Sequence, residues 1–186
     1  MIEPGSPPPR LAIVVPVPSL VVLMGPAGAG KSTFARRWFA PDEILSSDAL
    51  RAAVAGDPAD QSASATAFAM LHRQLGRRLA AGRLTVVDAT NIGRGARRSL
   101  LIRAHRTGRP AIAIVLDLPG PVVHQRNAAR TERVVDARVV DDQLAALRRT
   151  LAVGQLAAEG FAAVHTLSST MELENVRLVR AGDART

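Results

Sequence analysis

The chain has 186 residues, 47% of them hydrophobic, which is enough for one domain with a full core and too few for two. It has no cysteine, so disulfides and thiolate metal sites are excluded, and it has no unbroken apolar run of membrane-spanning length, so a cytoplasmic location is expected. The net charge of +8 favours a polyanionic partner such as nucleic acid, although solvated arginine-bearing helix faces account for it equally well, and aromatics at 3% argue against a base-stacking platform.

Residues 1–10 carry Pro4, Pro7, Pro8 and Pro9 and lack a basic-then-apolar signal pattern, so an extended, disordered tail is expected there. A single domain is expected over 11–180, with a short C-terminal tail at 181–186. The apolar region 11–24 is broken by Pro16 and Pro18, and within it 20–24 (L-V-V-L-M) reads as a buried strand ended by Gly25 and Pro26. A helix follows over 31–39, then a short strand over 43–46 and a helix over 48–55 broken by Gly56-Asp57-Pro58. Phe68, Leu71, Leu75 and Leu79 give 62–81 a helical period. A strand at 84–87, a basic helix at 94–106 and a strand at 111–116 come next. Helices at 120–130 and 142–158, a strand at 161–167 and a short helix at 171–179 complete the chain. Buried strands alternating with helices predict an α/β fold, with a parallel sheet flanked by helices and ligands bound beyond the carboxyl ends of the strands.

The run G-P-A-G-A-G-K-S-T at 25–33 satisfies the phosphate-binding loop pattern and stands between a predicted strand and a predicted helix. Gly25, Gly28 and Gly30 let successive amides turn inward, and Ala29 and Thr33 complete the loop. Every basic residue of the chain is arginine except Lys31, whose slender ammonium can enter a ring of backbone amides where a guanidinium cannot. Lys31 is therefore expected to reach the β- and γ-phosphates of ATP, with the Ser32 hydroxyl on Mg2+. A guanine-specific N-K-x-D element is excluded because no second lysine exists. The D-x-x-G switch pattern is absent as well, because Ala89, Thr90 and Asn91 follow Asp88.

The loop does not identify the phosphate acceptor. Asp48 stands at a strand end, where it can take a proton from an attacking hydroxyl, or it can simply cap the following helix. Arg51 lies one turn on, as an acceptor clamp or as a surface charge. Asp88 closes an apolar strand, a position suited to holding magnesium. Arg126 and Arg130, spaced i,i+4, and then Arg133 suit either a lid over the donor phosphates or a solvated helix face.

Together these pieces resemble the kinase domain of bacterial RNA-repair polynucleotide kinase-phosphatases, from about residue 19 to residue 168. The resemblance is carried by the loop itself, by I-L-S-S-D-A-L-R, by the Asp60-Gln61 element, by V-D-A-T-N and by H-Q-R-N-A-A-R-T-E-R. It implies a P-loop kinase-type three-layer sandwich, with a five-stranded parallel sheet and a mobile arginine-bearing lid. It also implies transfer of the ATP γ-phosphate to the 5′-hydroxyl end of RNA or DNA. Under it Asp48 is the general base and Arg51 the clamp on the adjacent acceptor phosphate. Arg126, Arg130 and Arg133 are then lid residues on the donor. Gln61 and Asn91 lie near the acceptor, and Asp88 is in the metal-supporting element. Family members carry a phosphatase and a ligase-like module after the kinase. The expectation here is therefore a free-standing kinase, a partner of separate phosphatase or ligase proteins, or an excised domain. A small-molecule hydroxyl kinase and a non-catalytic ATP-binding component of a repair complex are the alternatives.

Overall fold

Residues 11–55, 62–131, 133–152 and 154–182 are described by a computed structural model. In chain order, β1 (Ala12–Val17), β2 (Leu20–Met24), α1 (Lys31–Trp38), β3 (Ile44–Ser46), α2 (Ser47–Ala55) and α3 (Ser62–Ala80) come first. They are followed by β4 (Thr85–Asp88), α4 (Arg94–Arg106), β5 (Ala111–Leu116), α5 (Gly120–Ala128) and α6 (Ala137–Ala152). The chain ends with α7 (Gln155–Ala158), β6 (Ala163–Leu167), α8 (Thr170–Asn175) and β7 (Arg177–Gly182).

The main sheet is parallel and five-stranded, in the order β3-β4-β2-β5-β6, as the alternation of strands and helices predicts. The central strand β2 is buried along its whole length because both its faces are covered. Leu20, Val22 and Met24 face Leu71, Leu75 and Leu79 of α3, Leu100 of α4 and Leu147 of α6. Val21 and Leu23 face the opposite layer, with Phe34 of α1 and Ile13 and Val15 of β1. The two sets alternate by one residue, as a strand pleat requires. Each large side chain so buried contributes roughly 1.5–3 kcal/mol by leaving water.

Three elements depart from the sequence reading. Residues 12–17 form a strand despite Pro16, because β1 pairs only with β7 in a separate two-stranded parallel sheet, where a missing N–H can be tolerated. The expected helix over 171–179 ends early, and 177–182 become β7, so residues 181–182 belong to a strand rather than to the tail. The helix expected over 142–158 begins at Ala137 instead and is interrupted before α7, where Gly154 takes a φ of 59°.

Candidate active site

The Gly-rich loop joins β2 to α1 at the carboxyl edge of the sheet. Its shape is fixed by contacts from three directions. Gly28, at φ 85°, packs so tightly on α5 that a Cβ there would collide with the Val123 carbonyl and lie 2.9 Å from the Asn127 amide nitrogen. The Gly25 N–H donates to the Thr90 carbonyl at 3.2 Å, tying the loop to the segment after β4. The Ala27 N–H donates to Oε1 of Gln143 on α6 at 2.8 Å. At the far end Gly30 caps α1 in the left-handed conformation and brings no side chain to the first-turn amides, leaving that helix terminus suited to an anion.

Lys31 extends back under the loop, and its Nζ donates to the Pro26 carbonyl at 2.8 Å. Burial lowers its pKa to about 8, against the pull of the Asp88 and Asp48 carboxylates and with help from Arg130. Asp88 is buried, and burial pushes its carboxyl up, while the Ser32 hydroxyl bonded to it and the Lys31 ammonium pull it down. Ser32 and Asp88 thus sit side by side at the start of α1. Among the described residues there is no cluster of three or more histidines and carboxylates that could hold a metal. A hydroxyl beside one carboxylate nevertheless fits magnesium, which takes few protein ligands and completes its octahedron with phosphate oxygens and water.

A lysine binds phosphate as an ammonium, so with Lys31 as the expected phosphate ligand ATP affinity is expected to be full below pH 8 and to fall as the pH rises through it, bound phosphate drawing the proton back on. Calorimetric titration with ATP on either side of pH 8 checks this. An affinity that stays flat well above that value would show that Lys31 remains charged.

In the first turns of α2, Arg51 Nη1 donates to Asp48 Oδ1 at 2.9 Å. The capping role open to Asp48 falls instead to Ser46, whose Oγ accepts from the Ala49 N–H at 3.3 Å. The Asp48 side chain is 59% exposed, whereas Arg51 is 16% exposed and its Nε is buried with no partner among the described residues. Ser46 pairs with Asp88 across β3 and β4, so both carboxylates stand at one edge of the sheet. Gln61 lies outside the described residues.

Asn91 is buried at a left-handed φ of 50°, and its Nδ2 donates to the Leu23 carbonyl at 2.8 Å. It therefore ties the end of β2 to the segment after β4, with its amide nitrogen turned inward. The arginines do not share one helix face as their spacing suggests, because α5 stops at Ala128 and Arg130 lies beyond it. Arg126 still reaches the loop, its Nη1 lying 3.5 Å from where a Cβ on Gly30 would sit. Arg130 is close enough to act on Lys31, and Arg133 is exposed on the segment leading to α6.

Sequence reasoning missed two buttresses. Asn127 clasps that segment in both directions, Nδ2 donating to the Val135 carbonyl at 2.7 Å and Oδ1 accepting from the Val135 N–H at 3.2 Å. Its only signal was its place between Arg126 and Arg130. Gln143 had none, since its partner is 116 residues away. Gln143→Leu is expected to weaken ATP binding by ~1 kcal/mol, roughly fivefold, by stranding the Ala27 N–H. Gln143→Glu keeps an acceptor for that N–H, so without ATP it is expected to unfold at the wild-type temperature while Gln143→Leu unfolds lower; equal drops in the two variants would refute the buttress.

No curated protein sequence matches the chain. Among solved structures it resembles a chain of the Pnkp1/Rnl/Hen1 RNA repair complex, at 22% identity and TM-score 0.60 over 74% of this chain and 46% of that one. It also resembles a gluconokinase from Sinorhizobium meliloti 1021, at 20% identity and TM-score 0.54 over 87% and 89% of the two chains. A sugar kinase from Janibacter sp. HTCC2649 aligns at 24% identity and TM-score 0.54 over 81% and 85%. The fold is the kinase-type P-loop fold. The sequence matches the AAA domain family over residues 20–152, a span that holds the Gly-rich loop, Asp48, Asp88 and the three arginines after β5, and the chain belongs to that family.

Proposed function

We propose that the protein transfers the γ-phosphate of ATP to the 5′-hydroxyl end of RNA or DNA. The observation that carries this reading is the Asp48–Arg51 pair, a carboxylate open to solvent beside a largely buried guanidinium whose Nε has no partner among the described residues. A hydroxyl next to a phosphodiester needs both groups, one for its proton and one for the neighbouring anion. The likeness to the RNA repair complex chain and the net charge of +8 support the same reading.

The loop amides and Lys31 hold the β- and γ-phosphates. Arg126 and Arg130 lie over the donor, where they offset the charge that grows on the transferred group. Magnesium, held by Ser32 with Asp88, would supply charge neutralisation on the β- and γ-phosphate oxygens. The acceptor 5′-oxygen attacks the γ-phosphorus in line, the bond to the β–γ bridging oxygen breaks, and the hydroxyl proton passes to an Asp48 oxygen. Arg51 fixes the direction in which that carboxylate points. Its position counts for more than its basicity, because a loose transition state releases the proton late. Separate phosphatase or ligase proteins are the partners such a kinase calls for.

A small-molecule reading is favoured by the likeness to the gluconokinase and the sugar kinase, since Arg51 could equally hold the carboxylate of a sugar acid. One assay separates the two. γ-Labelled ATP is offered with a 5′-hydroxyl oligonucleotide and, in parallel, with sugars and sugar acids. Label on the oligonucleotide alone is the expected result. Label on a sugar or sugar acid with none on the oligonucleotide would overturn the polynucleotide reading.

A further inference from the structure

A groove of about 400 Å³ lies along α4, and its far wall is formed by residues 158–160. Along it run Arg94, Arg98, Leu101, Ile102, His105 and Arg106. Arg94, Arg98, Ile102 and Arg106 recur at four-residue steps, so they form one stripe along the helix. The arginines are exposed, and Ile102 is 40% exposed among them. The one carboxylate in the wall, Glu159, does not neutralise the stripe. Both its oxygens accept from the buried Arg97 at 2.6 Å, and Arg94 approaches only to 4.0 Å. Among the described residues Arg98 and Arg106 thus have no carboxylate partner, and Arg94 has only a 4.0 Å ion pair to a carboxylate already held by Arg97, so the groove presents excess positive charge beside an apolar floor.

We infer that this groove carries the sugar–phosphate backbone of a single-stranded nucleic acid whose 5′ end lies at Asp48. The inference rests on the polynucleotide reading of the acceptor. Arg94 opens α4 directly after the segment whose Thr90 carbonyl takes the Gly25 N–H, so the stripe starts at the rim of the active site. Asp48 opens α2 after β3 and Arg94 opens α4 after β4, and these strands are paired, which places the acceptor carboxylate and the head of the stripe at the starts of helices that follow neighbouring strands. From Arg94 to Arg106 the helix rises about 18 Å, the length of roughly five stacked nucleotides. Guanidinium groups bind phosphate oxygens in bidentate fashion, and the groove holds no Phe, Tyr or Trp, with His105 its one ring, so it would grip the backbone more than it reads bases. An acidic protein segment is the competing occupant; it would not need the stripe to begin beside the acceptor.

The test uses the triple variant Arg94→Gln/Arg98→Gln/Arg106→Gln, with Arg98→Glu as a milder second variant and thermal unfolding to confirm that both fold. Binding of a long fluorescent single strand is measured against salt, and transfer is measured to a long and to a dinucleotide-length 5′-hydroxyl acceptor. The triple variant is expected to bind the long strand at least about tenfold more weakly and to lose roughly two from the log–log salt slope. KM for the long acceptor should rise, while KM for the dinucleotide and for ATP should stay at the wild-type value. Unchanged long-strand binding, or equal losses for the long and short acceptors, would overturn the groove. A wild-type protein that transfers to oligonucleotides but whose variants match it would sink the groove and leave the proposed function standing. Long-strand binding that depends on the arginines, with no transfer to either acceptor, would keep the groove as a binding site and remove the kinase reading.

Discussion

Asp48→Asn is expected to lower phosphate transfer by roughly 10²–10⁴-fold, the range for loss of a positioned general base, while ATP still binds. The asparagine keeps the shape of the side chain and a carbonyl oxygen for Arg51, so the 2.9 Å contact can persist without its charge. What is lost, on the proposed function, is the proton acceptor. The same substitution has a second signature on the donor side. The Asp48 carboxylate is one of two groups that hold the proton on Lys31 against burial. Removing it should lower the Lys31 pKa below about 8 and move the alkaline loss of ATP affinity to lower pH. Transfer assays and ATP titrations on one preparation read both effects. Wild-type transfer rates in the variant would remove Asp48 from the chemistry. A rate loss with the alkaline limb unmoved would place Asp48 farther from Lys31 than the structure does.

The second large effect is structural. Arg97 is completely buried, with Nε and Nη2 each donating to Glu159 at 2.6 Å and Nη1 donating to the carbonyls of Ile92 and, at 3.3 Å, Asn91. Glu159→Ala leaves the guanidinium charge buried without a counter-ion and is expected to destabilise the fold by ~3–5 kcal/mol. For a chain of this size that corresponds to roughly 6–20 °C in Tm. The Arg97→Met/Glu159→Leu pair removes both charges and should recover most of that loss, because replacing a buried ion pair by apolar groups is often close to neutral. Thermal unfolding of the three proteins decides it. A drop of under ~1 kcal/mol for Glu159→Ala would mean that water reaches the arginine.

The parts of this molecule visible in the sequence are those written locally. The strands of the main sheet are short segments, fully apolar in β2 and β5 and mixed in β3, β4 and β6, and all five that the sequence suggests are present. The Gly-rich loop is a contiguous pattern, and its neighbours Lys31, Ser32 and Asp88 do come together. What the sequence left open needed distance in space. Whether Asp48 caps its helix was settled by Ser46, two residues earlier, which takes the amide instead. The i,i+4 spacing of Arg126 and Arg130 suggested a shared face, but α5 ends between them because the chain turns into the segment clasped by Asn127. Gln143 and Glu159 meet partners 116 and 62 residues away, and no periodicity marks such a meeting. The β1–β7 pairing is more remote still, since Ala12 finds its partner at Arg177, and a proline within β1 masks the strand from any local reading.

That terminal pairing has a mechanical consequence. The strands are parallel, so the chain enters β1 at one end of the ladder and leaves β7 at the other. A force pulling on the two ends of the domain would load the whole six-residue ladder at once in shear, instead of peeling its hydrogen bonds one after another. Drawn between its termini, as by a processive unfoldase or a pulled tether, the domain would resist until this outer clamp slid as a unit. The nucleotide-binding core behind it would feel no load before then.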